Sequence, residues 1–190
     1  MQKFFVVTWG VLLLASLFVP SLLVPIAYGQ SVALSVTNTI AADFDVIGAT
    51  GTASGNISLG TNDSITYGAG YDGSGIGTSG GFTLNGDPGF PVDVFCKTGA
   101  TLATSGGDTM PISDVEVVAD INGTGTFGAG NACQGLSTAA MVFTIQSSTA
   151  DNRFSFGVEI DGSGGVPSGD GTFSTSNPSG SDVQFEFVYQ

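Results

Sequence analysis

Apolar and polar residues alternate along much of the chain with a period of two, the pattern of β-strands that bury one face. The clearest example closes the sequence, where apolar side chains at positions 183, 185, 187 and 189 alternate with Gln184 and Glu186. Glycine and β-branched residues interrupt nearly every window in which a helical apolar stripe could develop. Beyond residue 29, the pattern therefore predicts a chain built from β-strands.

The first alternating segment covers residues 32–40. Its apolar members, which the period places on one face, are Val32, Leu34, Val36 and Ile40. Polar Ser35, Thr37 and Thr39 occupy the other face, so the segment predicts a half-buried strand. Such a strand completes its own domain or is donated to the groove of a neighbouring subunit.

Further short apolar segments are separated by Gly, Asn, Asp and Pro. Phe82 and Leu84 lead through residues 85–89, which contain Asn-Gly and Pro-Gly, into Val92 and Val94, and this order predicts a hairpin. The glycine-rich stretch 68–81 predicts a flexible loop or a wide hairpin. Roughly seven to ten strands of ordinary length favour an all-β fold, an Ig-like antiparallel β-sandwich, as a single domain over residues 30–190.

The N-terminal segment has the features of a signal peptide. Lys3 precedes an apolar run that extends to Val19, and small residues around Ala27 and Gly29 suit a peptidase that cuts after Gly29. The alternative is an uncleaved membrane anchor, because residues 4–24 approach the width of a bilayer. We expect a signal peptide at residues 1–29, a secreted product and no membrane span after its removal.

Charge limits the partners of the mature chain. All 16 acidic residues lie beyond Gly29, where Lys97 and Arg153 are the only cations, so the formal charge there is 2 − 16 = −14. Nucleic acid is excluded as a partner because phosphate binding requires clustered Lys and Arg. Disorder is the other interpretation of so acidic and glycine-rich a chain, but 11 of the 14 Phe residues lie beyond Gly29 and can build a core.

Cys96 and Cys133 are the two cysteines of the chain. In an exported protein, two cysteines most simply form one disulfide. Here the bond would close a loop of about 38 residues and contribute roughly 4 kcal/mol in the chain-entropy description. We expect a structural bond and not a redox site.

Catalytic chemistry finds little support in the sequence, which contains no histidine. Residues 77–81 fit the G-x-S-x-G string, but a nucleophile elbow requires a strand-to-helix turn and a His that takes the serine proton. Paired carboxylates could hydrolyse glycosides without His, yet nothing places two of them across a cleft. The acidic residues considered are Asp93, Asp114, Glu116, Asp120, Glu159 and Glu186. We expect no enzyme, no catalytic residue and no cofactor.

Calcium is the more plausible ligand. Asp120, Asn122 and Thr124 occupy the first, third and fifth places of a segment that begins like an EF-hand loop, with Gly125 at the sixth. The twelfth place holds Asn131 where the loop needs Glu, and an Asp/Asn/Gly-rich β-turn has the same composition. These residues are therefore weak calcium candidates, and we assign no metal site.

Three segments resemble a bacterial family of exported β-sandwich proteins catalogued as domain of unknown function 4402. They are Asp43-Phe44-Asp45-Val46-Ile47-Gly48, the segment Gly81-Phe82-Thr83-Leu84-Asn85-Gly86-Asp87-Pro88-Gly89 with the strand that follows it, and the closing Asp182-Val183-Gln184-Phe185-Glu186-Phe187-Val188-Tyr189-Gln190. The resemblance implies an Ig-like sandwich exported by a Gram-negative bacterium, pilin-like in character. It transfers no catalytic residue.

These observations predict a secreted or cell-surface structural or adhesive subunit, pilin-like, fimbrial and assembled by strand donation. Its partners would be identical subunits or other surface proteins, in the extracellular space or on the outer surface of a Gram-negative bacterium. The alternative is a secreted glycan- or calcium-binding module that uses acidic loops around Asp72, Asp120 and Asp161. A carboxylate-dependent hydrolase is a third hypothesis, which requires two acidic side chains in one cleft.

Overall fold

The computed structural model describes residues 32–44, 47–49, 53–73, 75, 77–97, 99–120, 125, 127–163 and 173–190. The signal peptide predicted at residues 1–29 lies outside this part of the chain. Within it, no helix is long and apolar enough to cross a membrane.

Thirteen strands lie within the described residues. They are β1 (Ser35–Ile40), β2 (Ile47–Ala49), β3 (Ile57–Leu59), β4 (Ile65–Thr66), β5 (Tyr71–Gly73), β6 (Gly80–Asn85), β7 (Pro91–Cys96), β8 (Ala100–Ala103), β9 (Thr109–Asp120), β10 (Asn131–Ala132), β11 (Met141–Thr144), β12 (Arg153–Ile160) and β13 (Phe185–Tyr189). A short 3₁₀ helix, Thr149–Asn152, precedes β12. The predicted all-β class is confirmed, and the strands exceed the expected seven to ten because several have only two or three residues.

The larger sheet has eight strands and is centred on β12. β9 pairs with one side of β12, while β6 and β3 share the other side end to end. β1 lies beyond β6, β4 lies beyond β3, and β8 and β10 lie beyond β9. All these pairs are antiparallel. β12 is thus flanked along its whole length, whereas β1 lies at an edge.

The smaller sheet has the order β11-β7-β13, and β2 and β5 form a separate two-stranded ribbon. Aromatic contacts show that the two larger layers pack face to face. The ring of Phe143 in β11 lies 4.9 Å from that of Phe154 in β12, and the ring of Phe82 in β6 lies 5.1 Å from that of Phe185 in β13. The predicted antiparallel β-sandwich is confirmed, with its core between these layers.

The predicted disulfide is present between Cys96 and Cys133, whose Cα atoms are 5.1 Å apart. Cys96 ends β7 of the smaller sheet, and Cys133 directly follows β10 of the larger one. Both cysteines are buried. The bond therefore joins the two layers of the sandwich.

The hairpin predicted around residues 85–89 is wrong in its pairing. The chain does turn there, with Gly89 at a φ of 87°, but β6 and β7 belong to different sheets. Both edges of β6 are already occupied, by β1 and by β12. β7 therefore crosses to the other layer, so the turn connects the two sheets instead of two neighbouring strands.

The described residues of the glycine-rich stretch 68–81 include regular strands, which the expected flexible loop does not contain. The stretch contains β5, which pairs with β2, and it ends in the first residues of β6. Gly80 is required by a close approach, because a Cβ at this position would fall within the ring of Phe156. The glycine here permits packing of the sheet and does not mark an irregular segment.

Candidate functional site

β1 is exposed along its whole length. All six residues of Ser35–Ile40 are exposed, including Val36 at 41% and Ile40 at 55%. Among the described residues, β1 pairs only with β6. The prediction of a half-buried strand is therefore wrong, because every residue of β1 is exposed on whichever face it lies.

An extra residue in β1 turns Ile40 away from the face of Val36. Val36 lies opposite Leu84, which is buried in the core, whereas Ile40 lies opposite Gly81 on the other face of β6. The register shifts by one residue between these pairs, and Asn38 within the shift has a φ of 51°. A bulge of this kind interrupts the period of two. The prediction that the apolar residues of this segment share one face is thus wrong at Ile40.

The N-terminal end of the segment is anchored by polar contacts. The backbone N–H of Val32 donates to Asp87 Oδ2 at 3.0 Å, and the hydroxyl of Tyr189 donates to the carbonyl of Val32 at 3.0 Å. That hydroxyl also accepts from the N–H of Asp87 at 2.7 Å. Leu34 and Tyr189 both lie against Gly86, where a Cβ would collide with them. The last strand therefore contributes to holding the first.

β1 is joined to the rest of the domain by a short connection. Ala41 and Ala42 follow it, and then Asp43 pairs with Thr78 through two backbone hydrogen bonds of 2.8 Å. Phe44 is buried in the core. Two residues thus separate an exposed edge strand from the first residue fixed in the domain.

β13 has an open edge of its own within the described part of the chain, because it pairs only with β7. Gln184 and Gln190 bond to the backbone of β7, so the alternate residues Phe185, Phe187 and Tyr189 direct their backbone N–H and C=O groups away from it. Their side chains pack against the core but are only half-buried. The molecule therefore presents a second unpaired strand edge.

A cleft of about 460 Å³ opens on the outer face of the larger sheet, where β1, β6 and β12 run side by side. Gly80 and Gly81 line its wall. The side chains that matter for its chemistry are Asn38, Ile40, Asn62, Asp63, Phe127 and Arg153. Two of them, Asn38 and Ile40, come from the exposed strand β1.

Ser79, the serine of the G-x-S-x-G string, also lines this cleft. Its hydroxyl and its backbone N–H both donate to Asp63 Oδ1 at 2.6 Å. A strand begins at Gly80, where a nucleophile elbow requires a helix. Ser79 therefore positions the Asp63 carboxylate and lacks the local geometry of an elbow.

Arg153 forms an ion pair with Asp120, whose side chain is 1% exposed, through Nη2 and Oδ2 at 2.7 Å. The Arg153 Nε–H also donates to the carbonyl of Ala150 at 3.0 Å, and the N–H of Gly125 donates to the same Asp120 oxygen at 2.6 Å. These contacts fix the guanidinium at the cleft. Asp120, a weak calcium candidate in the sequence, thus binds an arginine here, and Asn122 and Thr124 lie outside the described residues.

The remaining acidic candidates do not converge into a metal site, because the described residues contain no group of three or more Asp, Glu, Cys or His side chains that could hold an ion. Asp161 accepts a hydrogen bond from Ser163, which lowers the pKa of its carboxyl group. Glu159 accepts from Asn56 and Ser58, at 2.7 and 3.0 Å. Asp72 is exposed on β5. These carboxylates serve turns and neighbouring strands.

Comparison with known proteins finds no match among family models, curated proteins or solved structures. The resemblance of three segments to an exported pilin-like family therefore stays a prediction. The features of the described structure that bear on function are the exposed strand β1, the open edges of β1 and β13, and the cleft.

The cleft was not predicted from the sequence. Asn38, Asp63 and Arg153 are separated by tens of residues and converge only through the pairing of β1, β6 and β12. One signal was present: Arg153 is one of two cations beyond Gly29, and the planar guanidinium of Arg suits ion pairs with buried carboxylates.

Proposed function

We propose that this protein is an exported structural or adhesive subunit of a bacterial cell surface, which associates with other copies by exchanging β1. In the assembled form, β1 of one copy lies on β6 of the next. The observation that carries this proposal is the state of β1, an exposed edge strand that pairs only with β6 within the described residues and is joined to the domain through Ala41 and Ala42.

Exchange of β1 costs little because the intermolecular contacts copy the intramolecular ones. The groove along β6 already fits β1, with its ladder of backbone bonds and the anchor of Val32 on Asp87 and Tyr189. A two-residue connection favours exchange, because such a hinge can extend and pass the strand to a neighbour. The equilibrium between monomer and strand-exchanged assembly then depends on the protein concentration and on how readily the hinge, Ala41 and Ala42, extends.

Charge also favours β1 as the exchanged element. Residues 30–42 contain no charged side chain, although residues 30–190 carry a formal charge of −14 from 16 acids and two cations. Two such chains repel each other at a distance. A segment without charged side chains adds no repulsion of its own when it pairs with a strand of a second acidic chain.

The resemblance to exported pilin-like proteins supports the same function, and so does the predicted signal peptide. Export by a Gram-negative bacterium and a position outside the cytoplasm belong to this proposal. It assigns no catalytic activity to the chain, because the sequence has no His and Ser79 is engaged with Asp63. The half-buried aromatic edge of β13 offers a further surface for contact with another protein.

The test uses the mature chain, residues 30–190, with an engineered disulfide across the β1–β6 pair. Thr37 lies directly opposite Thr83, so Thr37→Cys and Thr83→Cys place two thiols within bonding reach. Mixing the two single variants, refolding them together and oxidising them should yield a covalent dimer. Random collision of thiols gives both homodimers as well as the heterodimer, so a heterodimer in clear excess over both homodimers reports β1 of one copy lying on β6 of the other.

The control is one chain that carries both substitutions. It should close an internal disulfide, which keeps β1 on its own domain, and it should no longer associate with other copies in light-scattering measurements. Internal closure in this chain, together with no excess of the heterodimer from the mixture, would overturn the exchange of β1. The readout of fold is the far-ultraviolet circular dichroism spectrum of each variant.

A further inference from the structure

We propose that the cleft between β1, β6 and β12 binds a neutral saccharide. This function is separate from the exchange of β1, because the same cleft forms on β6 whether β1 belongs to the same copy or to a neighbouring one. The cleft volume of about 460 Å³ falls in the range of small-molecule sites and accommodates one or two sugar rings.

Backbone conformation singles out this cleft. Within the described residues, Asn38 and Asp63 are the non-glycine residues with positive φ, at 51° and 65°, and both line it. Asn and Asp adopt this conformation more readily than other residues, and residues held in it also occur at ligand sites. The two residues come from β1 and from the loop after β3, so a common local turn does not explain why they meet.

The polar groups of the cleft supply both donors and acceptors. Arg153 uses Nε–H and one Nη2–H for Ala150 and Asp120, which leaves guanidinium N–H groups without a partner among the described residues. The side-chain N–H groups of Asn62 also have no partner among the described residues, since only its Oδ1 is used, as an acceptor from Ser64. Asp63 accepts from Ser79 through Oδ1, which leaves Oδ2 without a described partner. Sugar hydroxyls, which donate and accept at once, match such a mixed set.

Apolar groups lie beside these polar ones. Phe127 is half-buried and lines the cleft, and the side chain of Ile40 is 55% exposed at its edge. The C–H face of a sugar ring can pack on an aromatic side chain while its hydroxyls reach polar groups. The cleft therefore has the two kinds of contact that a saccharide requires.

Charge selects a neutral ligand. Arg153 is neutralised by Asp120, and Asp63 adds a negative charge within the cleft. An anion would meet Asp63 and the field of a strongly acidic chain. A metal ion would find a single carboxylate, since no group of three ligating acids, Cys or His exists among the described residues. A polyhydroxylated neutral molecule meets neither obstacle.

The experiment is an NMR titration of ¹⁵N-labelled residues 30–190 with glucose, galactose, mannose and N-acetylglucosamine, each up to high millimolar concentration. We expect saturable shifts for at least one of these sugars, centred on the amides of Asn38, Asn62 and Ser79. Glucuronic acid is included as the anionic counterpart of glucose and should bind more weakly than glucose. Absence of saturable shifts for all four neutral sugars overturns the proposal, and so does equal or tighter binding of glucuronic acid than of glucose when glucose binds.

Two variants are compatible with the positive φ: one removes the charge of Asp63, and the other removes the side chain of Asn38. Asp63→Asn retains an acceptor for Ser79 but loses the anionic oxygen, and we expect it to weaken binding by about tenfold, as for a hydrogen bond to a charged group. Asn38→Gly removes the side-chain amide at a φ that glycine accepts freely and should weaken binding about fivefold. The matched control is Asp182→Asn, at an exposed position outside the cleft, which should leave the affinity unchanged.

Each variant is checked for fold by the dispersion of its amide spectrum before titration. If Asp63→Asn and Asn38→Gly are folded and bind the sugar as tightly as the parent chain, the shifts come from another surface and the proposal is wrong. Weaker binding in both, with Asp182→Asn unaffected, supports it.

Discussion

β1 and β12 belong to the same sheet and show similar alternation of apolar residues, yet their surroundings are opposite. β12 is flanked on both edges, and Phe154, Val158 and Ile160 in it are buried. β1 has one neighbour among the described strands, and its Val36 is 41% exposed although it faces the same side as the buried Leu84. Alternation thus determines which face of the sheet a side chain lies on. Packing of the second sheet against that face determines whether the side chain is buried.

The comparison has a functional meaning. A strand such as β12 cannot leave without opening the core, because burial of apolar area is the main stabilising contribution to folding. A strand such as β1 can be exchanged, since its side chains are already in contact with water. We therefore expect substitutions in the core around β12 to cost the most stability and substitutions in β1 to cost little.

Truncation of Phe154 in β12 should have the largest effect on stability. Its ring is 2% exposed and lies 4.9 Å from the rings of both Phe82 and Phe143. Phe154→Ala should lower the free energy of unfolding by about 3 to 5 kcal/mol through lost burial and the cavity that remains. Urea denaturation of residues 30–190 measures this change, and a loss below about 1 kcal/mol would mean that β12 is not central to the core.

Removal of the disulfide should cause the second-largest loss of stability. Cys96→Ser with Cys133→Ser removes the covalent bond between the two layers, whose cysteines are 37 residues apart in the sequence. We expect a loss of about 2 to 4 kcal/mol. The measurement is the melting temperature of the double variant, compared with that of the parent chain in the presence and in the absence of reductant. A melting temperature that reductant does not change in the parent chain contradicts the structural role of the bond, provided that a thiol assay shows the bond is reduced.

The same substitution at two positions of the larger sheet gives the most direct comparison. Val117 in β9 is fully buried, while Val36 in β1 is exposed. Val→Thr keeps the shape and the β-branch, so the change isolates the cost of burying a hydroxyl. Val117→Thr should cost about 1 to 3 kcal/mol and Val36→Thr no more than about 0.5 kcal/mol. Equal losses in chemical denaturation would show that β1 is as buried as β9.

The smallest expected effect concerns alkaline pH and the ribbon of β2 and β5. Tyr71 is buried there and its hydroxyl donates to the carbonyl of Gly162 at 2.9 Å. Burial, with a contribution from the nearby Asp161, raises the pKa of the Tyr71 phenol above its usual value. A raised folded-state pKa means that unfolding releases a proton at alkaline pH, so stability is retained below about pH 10 and falls as the pH rises beyond it.

Tyr71→Phe removes this titrating group. The variant should lose the part of the alkaline destabilisation that Tyr71 causes, although it is less stable than the parent chain at neutral pH because the hydrogen bond to Gly162 is gone. The measurement is the melting temperature of both proteins between pH 8 and the alkaline limit of folding. Parallel curves would contradict the role of Tyr71.

Local patterns predicted the strands well and their partners poorly. The closing alternation at 183–189 corresponds to β13, and Phe82 and Leu84 lie in β6. The turn at Gly89 was also expected. The expected hairpin between β6 and β7 does not form, because β1 and β12 already pair with both edges of β6. This pairing is a property of the whole sheet, so the five residues of the turn could not predict it.

The cleft shows the same limit. Its polar residues Asn38, Asp63 and Arg153 have no common motif, and each resembles an ordinary turn or strand residue in its own segment. The bulge that places Asn38 at the cleft depends on the pairing of β1 with Gly81 and Thr83 of β6. Register between distant strands is therefore what creates the site.

By itself, the sequence determined the β class and the two-cysteine bond, because these follow from period and composition, which are properties of short segments or of the whole chain. Tertiary structure alone decided which strand lies at an edge, that β1 is exposed to solvent, and which side chains meet across the larger sheet. The physical reason is that alternation specifies a direction for each side chain, whereas burial and contact require a second surface, and only folding brings that surface into place.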